Sequence, residues 1–227
     1  MLKLPDRLRA VAFDLDGTLI DTMPDLAAAV NLMLRMLGAR ELPETSVRAL
    51  VGRGVDQLVL QALTESLGTL PSHPAQRSAA IALFRRLYAQ GLYRRSSVYP
   101  GIAQTLRALA GAGLSLCCIT NKDSMFAVPL LETAGLSESL AFTLCADRAE
   151  LRKPRPQLLL AACSRLAIAP AEMLYVGDSG LDMQAAQAAG CPFVAVTYGY
   201  GTDLPGKAAG GTLDGIAELL TLLPQRA

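Results

Sequence analysis

The feature that most restricts this chain is a regular alternation in its C-terminal two-thirds. Short apolar runs at 113–121 ("GLSLCCITN"), 140–146, 173–178 and 191–199 alternate with helix-like stretches at 102–111, 124–134, 156–167 and 179–189. Apolar runs without an exposed polar face, separated by helices, call for a parallel sheet covered on both sides. The run at 9–15 ("RAVAFDL") adds one more strand. A strand–helix–strand crossover needs only about a dozen residues, yet the chain runs from Asp16 to the strand at 114 before the next one begins. The interval is strongly helical. Within 22–37, Leu26, Val30, Met33, Leu34 and Leu37 fall on one stripe, Thr22 with Asp25 reads as a capping box, and Gly38 reads as a stop. Further helices are expected at 44–51, 55–67 and 74–90. The expected fold is α/β, a Rossmann-like parallel sheet with helices on both faces. Residues 1–19 and 96–227 would form that core domain, with an all-helical insertion over 20–95.

Composition narrows the partners. Of the 227 residues, 21 are Lys or Arg and 20 are Asp or Glu, so no basic field for nucleic acid exists. No secretory segment is legible at the N-terminus, and no apolar stretch approaches the ~18 residues of a membrane span. The five cysteines form no C-x-x-C pair, and Cys117, Cys118 and Cys145 lie in apolar runs, as small core residues in a reduced compartment do. A cytoplasmic protein with no membrane partner is the expectation. The Gly-rich segment 198–211 fits neither common phosphate-loop pattern and reads as a surface loop, and His73, in a Pro-flanked loop, reads as exposed.

The strand ends carry the chemistry. In an open α/β sheet, ligands bind beyond the carboxyl ends of the strands. Here the first strand runs into Asp14 and Asp16, the second into Thr120 and Asn121, and a later one into Gly177 and Asp178, with Asp182 four residues on. Lys153, in a connection, adds a cation. Two aspartates at one buried strand end repel each other and resist desolvation. A Mg²⁺ ion resolves the conflict, because it takes oxygen ligands and shares phosphate oxygens with the protein. Asp14 and Asp178 would offer carboxylates and Asp16 its main-chain carbonyl. Asp14 could then attack phosphorus, and Asp16 could protonate the leaving oxygen and later deprotonate water. Thr120, Asn121 and Lys153 would bind the phosphoryl oxygens, with Thr18 a further candidate for substrate binding.

These residues also carry a family resemblance. "FDLDGTL" (13–19), "TN" (120–121), "KP" (153–154) and "GDSGLD" (177–182) resemble, in order, the four motifs of the haloacid dehalogenase-like hydrolase superfamily. The resemblance implies Asp14 as nucleophile and Asp16 as general acid/base. It also implies Mg²⁺ held by Asp14, the Asp16 carbonyl and Asp178, with Asp182 orienting the metal site. The insertion resembles the family's helical cap of the first type. "DGTLIDTMPDL" (16–26), "VGRGVDQLV" (51–59), "VYPGI" (98–102), "TNK" (120–122) and "VTYGYG" (196–201) are similar to the phosphoglycolate phosphatase branch, although Asp123 and Arg155 depart from its pattern.

Asp16 argues against a dehalogenase, since a halide needs no proton to leave. The implied partner is a small-molecule phosphomonoester, foremost 2-phosphoglycolate, with N-acetylmuramate 6-phosphate or another sugar phosphate as the alternative. A phosphomutase shares the chemistry, and a non-catalytic phospholigand sensor shares the fold. Gly52 and Arg53, in the "GRG" of the insertion, are candidates for binding a substrate carboxylate, on the family-like position of that loop. A monomer or a homodimer is expected.

Overall fold

The computed structural model describes residues 7–201 and 211–222. Its Cα packing divides the chain into two compact units, Met1–Asp21 with Val98–Ala227, and Thr22–Ser97.

The larger unit is built on a six-stranded sheet of β1 (Ala10–Phe13), β4 (Ser115–Thr120), β5 (Phe142–Cys145), β6 (Met173–Gly177), β7 (Phe193–Val196) and β8 (Thr212–Leu213). The order is β5-β4-β1-β6-β7-β8 and every pair is parallel. The chain first builds outward from β1 through β4 to β5, then crosses to the other side of β1 for β6, β7 and β8. Connections diverge at β1, and such a switch point leaves a crevice at the carboxyl ends of the central strands. One face of the sheet presents Ala10, Ala12, Cys117, Ile119, Tyr175 and Phe193 to α7 (Gln157–Leu166) and α8 (Gly180–Ala189). Because strand side chains alternate, Val11, Phe13, Leu116, Cys118 and Val176 point to the opposite face and are equally buried. There α5 (Ile102–Gly111) lies against β4 and packs on α9 (Glu218–Thr221), with α6 (Ser124–Thr133) against β5. A second, two-stranded sheet pairs β2 (Ile20–Asp21) with β3 (Ser97–Val98). Strands this short carry no periodicity, and β2, β3 and β8 had no signal in the sequence.

The smaller unit is helical: α1 (Met23–Met36), α2 (Glu44–Leu50), α3 (Val55–Leu67) and α4 (Pro74–Gly91). Leu26, Val30, Met33 and Leu34 of the expected α1 stripe are buried, whereas Leu37 caps the helix and is exposed. Gly38 takes a left-handed φ of 71° just beyond it, as a stop residue should. The Thr22–Asp25 capping box is not formed. Thr22 makes no side-chain cap. The Asp25 carboxylate instead accepts from the main-chain N–H groups of Arg95 and Ser96 and from Ser96 Oγ at 2.6 Å. A long-range set of donors outcompetes the local cap. His73 is exposed, as expected. All five cysteines are free thiols and four are buried, with Cys145 half-buried. No described helix is long and apolar enough to cross a membrane.

Candidate active site

The strand order places the ends of β4, β1 and β6 side by side, so residues far apart in sequence meet beyond them. Asp14 follows β1 directly, and its N–H extends the ladder to Val176 O at 2.9 Å. Carboxylate oxygens of Asp14, Asp178 and Asp182 lie within 4.8 Å of one another, and all three residues are buried. Lys153 binds this group together. Its ammonium sits 2.8 Å from Asp14 Oδ1 and 2.6 Å from Asp182 Oδ1, and donates to Tyr175 Oη at 2.9 Å. Asp182 and Tyr175 accept hydrogen bonds from the ammonium, and Asp14 is its ion-pair partner. Burial alone pulls the Lys153 ammonium toward neutrality, but the charges of Asp14 and Asp182 outweigh it and hold the group protonated well beyond the ordinary lysine range.

Each remaining carboxylate has its own fixing elements. Asp182 is fully enclosed: Oδ1 also accepts from Tyr175 Oη at 2.9 Å, and Oδ2 from Ser179 N at 3.1 Å and from the Ser179 hydroxyl, closing a reciprocal capping box at the start of α8. Asp178 Oδ2 accepts from the main-chain N–H of Tyr200 at 2.6 Å and of Gly201 at 3.3 Å, while Thr18 Oγ1 reaches Oδ1 at 3.4 Å. Asp16 pairs with Lys122, whose ammonium lies 2.9 Å from Oδ1 and 3.2 Å from Oδ2. The Asn121 carboxamide bonds the main chain of Lys153 at both ends, donating to its carbonyl at 3.1 Å and accepting from its N–H at 2.7 Å. Thr120 Oγ1 accepts from Lys122 N at 3.1 Å. Gly52 and Arg53 lie in the turn between α2 and α3, where Gly52 has φ of 110° and Arg53 is exposed.

The electrostatics are unfavourable without a further cation. Burial, then the charges of Asp182 and Asp178, push the Asp14 carboxyl well above the ordinary range against the pull of Lys153. Asp178 is pushed up to about 7 by burial and Asp182, despite the amide donors of the 200–201 turn. Four carboxylates face two ammonium groups, and Asp14 Oδ1, though beside Lys153, has no aligned hydrogen-bond donor. A hard divalent cation fits this all-oxygen set and its excess of negative charge. Asp14, Asp178 and Asp182 each offer a carboxylate oxygen that could hold one. Both oxygens of Asp182 are also taken by protein donors.

The model of the haloacid dehalogenase-like hydrolase family matches residues 8–190. The chain belongs to that family. Among the relatives of this hydrolase are proteins named phosphoglycolate phosphatase. That of Nitrosospira multiformis is 43% identical over 88% of this chain and 87% of its own, and that of Thiobacillus denitrificans 42% identical over 90% of each. A crystal structure from Haemophilus somnus, described as a predicted phosphoglycolate phosphatase, superimposes with a TM-score of 0.89 at 29% identity, covering 95% of this chain and 98% of that one.

Sequence reasoning missed three parts of this hydrolase site. The segment 198–201, read as surface loop, wraps Asp178, and the rest of that Gly-rich stretch, 202–210, lies outside the described residues. Cβ atoms at Gly199 or Gly201 would collide with Asp178 itself, so the "GYG" spacing was the available signal. Tyr198 and Tyr200 anchor the same segment, donating to Thr18 O at 3.0 Å and Asp21 Oδ1 at 2.7 Å. Tyr175, inside an apolar run, gave no polar signal, and Lys122 gave only its place after Thr120-Asn121.

Proposed function

We propose that this hydrolase cleaves 2-phosphoglycolate to glycolate and phosphate, in the cytoplasm, with Mg²⁺ as its metal. The reading rests on one observation: two aspartates that leave the same strand are held by different lysines, Asp14 by Lys153 and Asp16 by Lys122. Relatives bearing the phosphoglycolate phosphatase name over nearly their whole length support the substrate, and a set of free thiols supports the compartment.

In this mechanism Asp14 attacks phosphorus. A bond forms from its carboxylate oxygen to phosphorus, the bond to the leaving oxygen breaks, and Asp16 supplies the proton that the departing alkoxide needs. Asp16 then takes a proton from the water that hydrolyses the aspartyl-phosphate, which frees Asp14 and releases phosphate. Lys153 fixes Asp14 and offers positive charge to the phosphoryl oxygens, and the Thr120 hydroxyl can donate to them. The carboxamide of Asn121 and the hydroxyl of Thr18, candidates for the same phosphate, also hold the Lys153 main chain and reach Asp178. Mg²⁺, held by Asp14, the Asp16 carbonyl and Asp178, would neutralise charge between an anionic nucleophile and an anionic substrate.

The test is steady-state phosphate release from 2-phosphoglycolate, sugar phosphates, N-acetylmuramate 6-phosphate and nucleotides. The expected result is a sharp preference for 2-phosphoglycolate. A preference for a sugar phosphate would keep the chemistry and overturn the substrate. Arg53, together with the Gly52 main chain, is our candidate for recognising the substrate carboxylate. Arg53→Ala should raise KM for 2-phosphoglycolate about tenfold or more, the scale of one charge-assisted hydrogen bond, and leave KM for p-nitrophenyl phosphate, which has no carboxylate, unchanged. Equal KM values for 2-phosphoglycolate in both proteins would remove Arg53 from the site.

A further inference from the structure

The contact between Lys122 and Asp16 has a geometry that simple charge balance does not require. The Lys122 side chain is 3% exposed, and its ammonium grips both oxygens of Asp16, at 2.9 and 3.2 Å. Burying an ammonium carries a desolvation penalty, and an apolar residue would fill the space after β4 without it. What a two-oxygen grip adds is direction. A partly exposed aspartate, here 15% exposed at its side chain, otherwise samples several χ1 wells. The ammonium selects one well and fixes the plane of the carboxyl group. Lys153, the other buried lysine of the site, is engaged by Asp14, Asp182 and Tyr175.

We infer that Lys122 is a positioning residue for Asp16, aiming that carboxyl group at the leaving oxygen of the substrate. The inference rests on the phosphatase reading above and adds a residue to it. During proton donation one Asp16 oxygen carries the proton while the other keeps its hydrogen bond from Lys122, so the grip survives the step. Lys122 thereby acts through Asp16 and matters only where Asp16 matters. Water activation in the second step is common to every substrate, but kcat/KM reports the first step, where the need for a proton depends on the leaving group. The alkoxide leaving from 2-phosphoglycolate needs a proton, whereas p-nitrophenolate leaves as a stable anion.

The experiment compares kcat/KM on these two substrates for the wild-type protein, Lys122→Met, Asp16→Asn and the double variant, all with Mg²⁺. Lys122→Met should lower kcat/KM for 2-phosphoglycolate about 10²-fold, the lower end of what acid–base assistance contributes, and kcat/KM for p-nitrophenyl phosphate no more than about threefold. The double variant should be no slower than Asp16→Asn, because two residues acting as one unit are not additive. Lys122→Arg, which preserves charge and a forked donor, should restore the wild-type ratio of the two substrates. Equal losses on both substrates would show a merely structural lysine and overturn the inference. So would additive losses in the double variant, the result expected if Lys122 bound the substrate carboxylate directly. Should Lys122→Met fail to give a folded circular dichroism spectrum, Lys122→Gln carries the same comparison with the same readings. A wild-type protein that released phosphate from neither substrate would instead fail the phosphatase reading, and this inference with it.

Discussion

Asp14→Asn is expected to reduce phosphate release by about 10⁴-fold or more, the scale on which loss of a covalent nucleophile is felt, without unfolding the protein. An amide oxygen is too weakly nucleophilic to attack phosphorus, and no other described carboxylate stands ready. Asp16 is held by Lys122, and Asp182 is enclosed by Lys153, Tyr175 and Ser179. The stability outcome follows from the same geometry. In the metal-free protein, burial and the charges of Asp182 and Asp178 oppose ionisation of Asp14. Replacing it with a neutral residue of the same shape removes that repulsion, and Lys153 keeps Asp182 as its counter-ion. The melting temperature in EDTA should therefore equal or exceed that of the wild-type protein. Thermal unfolding followed by circular dichroism, beside a phosphate-release assay, measures both. Activity within tenfold of wild type would contradict the nucleophile assignment. A large fall in melting temperature would instead make Asp14 a structural residue.

Removal of the metal is expected to have an effect of similar size on activity and the opposite sign on stability. EDTA should abolish phosphate release, and added Mg²⁺ should restore it. At 100 times its dissociation constant a ligand that binds only the folded state contributes about 2.7 kcal/mol, which for a chain of this size raises the melting temperature by about 5–10 °C. Asp178→Asn should remove both responses. The amide can still accept from Tyr200 N and Gly201 N as Asp178 does, so the turn is preserved while the charge that draws the cation is lost. Differential scanning calorimetry with and without Mg²⁺ reads the shift. A variant that kept the full Mg²⁺-dependent rise would show that the ion binds elsewhere.

Some of this protein was readable because it is local. Apolar runs such as 173–178 and helical stripes such as that of α1 express how a segment meets a core, and they marked the main strands and helices of the sheet unit and the insertion. The paired aspartates of "FDLDGTL" were conspicuous because two carboxylates at a buried strand end call for a cation. The capping box at Thr22 shows the limit of local reading. Its residue types were right, but amides of Arg95 and Ser96, seventy and seventy-one positions from Asp25, took the carboxylate.

The sequence by itself determined the class of fold, the strand ends that carry the chemistry, and the residue types gathered there, because periodicity and motif spacing are properties of short segments. The tertiary structure decided how those residues are paired. Lys122 reaches Asp16 across 106 positions, and Lys153 reaches Asp182 across 29. The main-chain amides of a Gly-rich turn close over Asp178 because glycine alone lets backbone approach so near. Ion pairs and buried hydrogen bonds depend on distances of a few ångströms between strand ends, and those distances exist only after the parallel sheet has set β4, β1 and β6 side by side.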